Sequence, residues 1–115
     1  MYEPTRPDPQ GGEAVLDELL SALADATRRA VVEHFRHTGR RVATTAELAD
    51  ELARDATAVE RDRLDATLHH TALPKLDAAG VLAYDPASRT ARYRGEELSE
   101  PVRRLVASLE TVATV

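Results

Sequence analysis

From Glu13 onward the apolar positions of the chain fall into a helical rhythm. Val15, Leu16, Leu19, Leu20 and Leu23 recur at spacings of three and four, as one face of an α-helix requires. Asp25 is placed to cap a second helix running to about Thr38, with Val31, Val32 and Phe35 as its buried stripe and Gly39 as its stop. Arg41 to Ala43 read as a short strand. Thr44-x-x-Glu47 is then a capping box, in which each side chain bonds the backbone N–H of the other residue, and it opens a third helix with Leu48 and Leu52 inward. Residues 54–58, RDATA, read as a linker or a fraying turn. A long fourth helix is expected from about Val59 to Ala79, ended by Gly80. VLAY and ARYR then frame a β-hairpin with a six-residue tip, Asp85 to Thr90. Ser99 caps a last helix, in which Leu98, Val102, Leu105, Leu109 and Val112 follow the 4, 3, 4, 3 spacing of an a/d seam. Residues 1–12 hold three prolines, two glycines and no such rhythm, and read as a mobile tail.

This order predicts a mostly α fold with a small β-hairpin wing, a winged helix-turn-helix with additional helices at both ends. The fourth helix carries an anomaly. Pro74 sits inside LHHTALPKL, where its ring meets the carbonyl of His70 and a hydrogen bond is lost, at roughly 3 kcal/mol in a helix interior. The proline is expected to kink the helix and to bias Leu73 away from regular helical geometry.

Composition narrows the chemistry. At 115 residues the chain suits one small domain. Its aromatics are Phe35 and three tyrosines, so Leu, Val and Ala must build the core. The absence of cysteine excludes disulfides, zinc ribbons and thiol-based redox sensing. No apolar run reaches the ~18 residues of a membrane span and no signal peptide is visible, so a soluble cytoplasmic protein is expected. There is no nucleophile–base arrangement, glycine-rich phosphate loop or paired carboxylate, so neither enzymatic activity nor a cofactor is expected. Net charge is −5, and Lys75 is the single lysine among 15 basic residues. An acidic, lysine-poor chain rich in alanine and threonine fits an extreme halophile, whose surface carboxylates hold water and cations in molar salt; a GC-rich genome produces a similar bias. The acidity argues against simple electrostatic binding of nucleic acid, so that reading needs local evidence.

Placed at about 100° per residue, the fourth helix turns Leu64, Leu68, Ala72, Leu73, Leu76 and Ala79 to one side, with His69 at the edge. The opposite side shows Arg63, Ala66, Thr67, His70, Thr71, Pro74 and Asp77. Arg63 can grip guanine O6 and N7, Thr67 or Thr71 a thymine methyl or base edge, and His70 a guanine or a phosphate; Lys75 suits a phosphate near the far end. An ordinary solvated face is the plainer alternative. In the hairpin, Arg89 lies at the tip and Arg92 and Arg94 alternate outward, and Asp85 to Arg94 carries a local charge of +2. Thr44 and Thr45, at a helix N-terminus, suit a phosphate.

LADATRRAVVEHF, TTAELADEL and above all LHHTALPKLDAAGVLAYD resemble the winged helix-turn-helix transcriptional regulators of haloarchaea, oxidative-stress regulators among them. The resemblance covers residues 19–94 and implies sequence-specific binding of double-stranded DNA by a homodimer. The turn after Leu52 is longer than in the standard motif, which leaves the start of the recognition helix open.

On that reading residues 13–97 form the DNA-binding domain and residues 98–115 a C-terminal dimerisation helix, with Leu16, Leu20, Val102, Leu105, Leu109 and Val112 in the dimer interface. Both end helices covering one monomer's core is the alternative. Inorganic cations are expected to bridge carboxylates such as Asp62 and Asp65 to DNA, because molar salt weakens a basic groove. Two rival functions stand beside this one. A winged-helix protein-interaction module needs no DNA contact. A metal-responsive repressor would use His34 and His37, three apart, or His69 and His70, but adjacent histidines point about 100° apart and HxxH alone is weak.

Overall fold

Local chemistry sets the ends of the helices. The computed structural model describes the backbone of residues 17–113 and side-chain burial as far as Ser108. Helix α1, described over residues 17–23, is followed by α2 (Ala26–Thr38). The Asp25 carboxylate caps α2 by accepting from the N–H groups of Thr27 and Arg28, and Gly39 ends it in the left-handed region at φ 74°. The arginines in the first turn of α2 reach back over the end of α1. Arg28 donates to the carbonyls of Ala22 and Ser21, and Arg29 to those of Leu23 and Ala24. The carbonyls that α1 leaves unbonded are thus closed by cations, which suits the negative end of its dipole and fixes α1 against α2.

Strand β1 (Val42–Thr44) runs straight into α3 (Thr45–Leu52), and Thr44 and Glu47 form the expected capping box. The linker segment holds a second one: Thr57 accepts from the N–H of Glu60 while Glu60 accepts from that of Thr57, and α4 (Ala58–Thr67) begins there. A π-helical turn (Leu68–Ala72) and α5 (Leu73–Ala78) continue α4, so the expected fourth helix is one rod with a π segment inside it. Pro74 falls in the first turn of α5. The wider π turn gives room where the proline ring would press on the preceding turn, with the Leu73 N–H bonded five residues back to the Leu68 carbonyl. Leu73 keeps right-handed helical geometry at φ −70°, ψ −40°, against the expected bias, because the fault is absorbed one turn earlier. A Schellman end closes the rod: Gly80, at φ 82°, donates to Asp77 and Val81 donates to Leu76.

Strands β2 (Leu82–Asp85) and β3 (Thr90–Tyr93) form the hairpin, and β3 pairs with β1 on its other side in a three-stranded antiparallel sheet of order β1-β3-β2. Asp85 pairs with Thr90, so the tip is the four residues 86–89 rather than six, and the first strand runs 42–44 rather than 41–43. A 3-10 turn (Gly95–Glu97) leads to α6 (Glu100–Ala113). The result is a mostly helical small domain with a three-stranded antiparallel sheet, an arrangement consistent with a winged-helix-like fold.

The core joins every layer: Leu19 and Leu23 of α1, Val31, Val32 and Phe35 of α2, Leu48 of α3, Leu68, Leu73 and Leu76 of the long rod, Leu82 and Ala91 of the hairpin, and Val106 of α6. Among the described side chains of α6 the buried one is Val106, which lies off the expected seam, while Val102 and Leu105 pack half-buried beside it. Leu20 is 43% exposed. Leu16, the Leu109 and Val112 side chains, and the expected tail lie outside what is described. No helix among the described residues is long and apolar enough to cross a membrane.

Candidate functional site

The long rod divides into two halves of different character. Its C-terminal half supplies Leu68, Ala72, Leu73 and Leu76 to the core, whereas α4 has no buried residue at all. Arg63, Thr67, His70, Thr71 and Lys75 are all exposed, as are Ala66, Pro74 and Asp77 on the same expected face. His70, Thr71 and Lys75 border a groove of about 360 Å³ whose other wall is α1, with Glu18 and Ser21. Arg63 and Thr67 lie N-terminal to that groove, on α4. Val59, 61% exposed in the first turn of α4 and one turn before Arg63, is a position that a search for buried periodicity passes over. The Thr71 hydroxyl donates to the Thr67 carbonyl at 3.0 Å, which leaves its methyl and lone pairs for other contacts.

Three contacts hold the rod against the hairpin. The Asp77 carboxylate accepts from the Tyr84 N–H at 2.8 Å, so its charge serves the strand and not the outward face. His69 Nδ1 and the Tyr84 hydroxyl share a hydrogen bond of 2.5 Å. Burial, helped by the nearby Arg89 guanidinium, lowers the His69 pKa from its usual 6.5 and so favours the neutral ring. At the tip, Arg89 adopts φ 54°, uncommon for a residue with a side chain, and its guanidinium lies 3.4 Å from Asp65. Asp65, with 28% of its side chain exposed, is thereby engaged by Arg89 and is withdrawn as a seat for a bridging cation; Asp62 remains exposed.

The backbone-contact residues separate. Thr45 is 1% exposed, and its N–H is donated to the Arg89 carbonyl at 3.0 Å. It can offer neither side chain nor amide to a phosphate, and that expectation is corrected: its place at the joint between β1 and α3 faces the core. Thr44 is half-buried, and its hydroxyl is used in its cap.

The arginines of β3 also differ from the expected picture. Arg92 (3.4 Å) and Arg94 (2.8 Å) both pair with Glu97, beside the sheet's base and not its tip. The bond from Arg94 lowers the Glu97 pKa below its usual 4.5. Extending the charge sum from Asp85 to Glu97 sets three arginines against Asp85, Glu96 and Glu97, which cancels the local +2. The hairpin arginine beside the rod is Arg89, which itself pairs with Asp65. Among the described residues no three histidine, aspartate or glutamate side chains cluster as metal ligands would; His34 packs edge-on against Phe35.

Residues 20–92, more than half of the chain, match the model of the family described as a domain of unknown function, DUF7344. The chain belongs to the DUF7344 family. The DUF7344 match starts inside α1 and ends inside β3, so it takes in the whole rod, the hairpin tip and both capping boxes, and leaves α6 outside. No curated protein and no solved structure matches the chain.

Proposed function

We propose that this DUF7344 protein is a sequence-specific, double-stranded DNA-binding transcriptional regulator of the winged helix-turn-helix type that acts as a homodimer. The observation that carries this reading is α4: ten residues of helix, capped at the start, with only Leu64 packed half-buried on the core and Arg63, Ala66 and Thr67 exposed beside a hairpin tip. A helix that gives its own core a single half-buried leucine keeps a broad exposed face for a partner. Its dimensions suit a major groove. In this reading Arg63 and Thr67 address base edges, Val59 lies on the same stretch of α4, and Arg89 meets a phosphate beside them. His70, Thr71 and Lys75 stand farther back, where α1 narrows the approach, and serve as backbone grips. Arg92 and Arg94, tied to Glu97, are secondary. The resemblance to haloarchaeal regulators, including those of oxidative stress, supports the same reading. Exposed Leu20 and the half-buried Val102 and Leu105 are the described part of the proposed two-fold interface.

The test is selection of an operator from random duplexes followed by titration with variants. Arg63→Gln is expected to lose about 1–3 kcal/mol for the selected site and to relax preference at one base pair. Recovery of no preferred sequence overturns the reading in favour of a protein-interaction module, and an R63Q variant with the parent's affinity and preference overturns the role of Arg63.

A further inference from the structure

At the end of the sheet away from the hairpin tip, a cleft of about 390 Å³ opens between the end of α2, the residues entering β1, the 3-10 turn and α6. Four guanidinium groups line it, those of Arg36, Arg40, Arg41 and Arg103, and Glu96 is the single carboxylate in its wall. This convergence occurs in a chain of net charge −5 and joins segments far apart in sequence. Tyr93 lies in the wall as well, stacked on Phe35 with ring centroids 5.4 Å apart. Gly95 keeps it seated, since a Cβ there would come within 2.4 Å of the Tyr93 ring.

Three of the four cations hold exposed ion-pair partners. Arg40 pairs with Glu47 at 3.3 Å and Arg103 with Glu100 at 3.4 Å, both largely open to water, where such pairs contribute little. Arg41 pairs with Glu96, also highly exposed. Glu96, in the cleft wall, already sets a carboxylate against Arg41. We propose that this cleft binds a small organic polyanion bearing phosphate or carboxylate groups. The ligand displaces Glu96 from Arg41 and bridges Arg40 and Arg41 to Arg103 of α6. The volume lies in the range of small-molecule sites, and the planar fork of arginine matches both anion types in a bidentate way. This inference is independent of whether α4 reads DNA.

Calorimetric titration of the full chain, without DNA, with pyrophosphate and with citrate at fixed potassium chloride tests it. Saturable binding of at least one is expected, weakened at least about tenfold in the R41Q/R103Q double variant. The variant R54Q, which alters an exposed arginine just past the end of α3 that pairs with Glu51, is expected to bind as the parent does. E96Q is expected to bind more tightly, because the internal competitor is gone. Absence of saturable heat with both anions, or equal weakening by R54Q and R41Q/R103Q, overturns the proposal. Should the double variant fail to fold, E96Q decides alone: tighter binding upholds the site, and unchanged or weaker binding overturns it.

Discussion

His69 sits where the rod, the hairpin and the Arg89–Asp65 pair meet, and its neutral ring is part of that joint. Its pKa in the folded state lies below 6.5, so the unfolded chain binds the proton more readily. The stability this contributes is complete above pH 6.5 and is lost as pH falls from there through the lowered folded value. Thermal denaturation across that range is expected to show a falling midpoint that His69→Gln flattens. A second, more acidic loss belongs to Glu47 and Glu97, whose pKa values are lowered from 4.5 by the Thr44 N–H and by Arg94 respectively, and whose contributions fade as they are protonated. The two capping threonines make a matched pair of probes. Thr44→Ala and Thr57→Ala should each cost about 1 kcal/mol. If α4 is held out by its cap, T57A should also reduce amide protection at the start of α4 specifically, readable by hydrogen exchange. Both boxes are written in the same Thr-x-x-Glu spelling, yet the second is easily missed, because RDATA before it looks like a linker and the residues after it supply no buried stripe. The His69–Tyr84 and Arg89–Asp65 contacts have no such spelling; they join residues 15 and 24 apart, and only the folded hairpin brings them together.

At the level of the element, the inward and outward sides of the long rod follow the 100° reading closely. Leu68, Ala72, Leu73 and Leu76 are buried, and the residues assigned to the other side are exposed. Periodicity reports which residues prefer water, and a π turn preserves that preference while changing how the backbone meets it. The fault from Pro74 was legible as a fault; its resolution as a π turn before the proline was not, since it depends on how much room the core leaves. Pro74→Ala restores a donor and removes the ring, so the rod can return to regular α geometry. Its melting temperature is expected to equal or exceed that of the parent, while operator affinity falls because α4 rotates relative to α5 and the hairpin. Unchanged affinity and specificity in P74A would make the π turn purely structural.

For the whole molecule, the acid–base balance and the absence of cysteine were readable from composition, but the distribution of charge was not. Arg92 and Arg94 looked like a basic stripe until Glu97 folded beside them, and four separated arginines became one cleft. The end helices illustrate the same limit. A 4, 3, 4, 3 seam announces an apolar face without naming what covers it, and Val106 shows that part of α6 belongs to the monomer's own core. The proposed dimer therefore rests on a narrower strip. Sedimentation at high salt is expected to give a dimer, and Leu20→Glu, at an exposed site, should shift it toward monomer with little loss of fold. Operator binding should respond gently to salt, because the hairpin arginines already pair with Asp65 and Glu97: a steep power-law fall, near the slope of about −0.9 per phosphate for many contacts, would contradict a binding surface with few phosphate contacts.

The π turn has one more consequence. Leu68 and Leu73 are both fully buried although five residues apart, where a regular helix would seat the same pair at four. The rod therefore carries a spare residue between two fixed anchors. Removing His70 would let the turn close to ordinary α geometry with both leucines still in the core, so this is the place in the rod where the chain can change length by one and keep its fold.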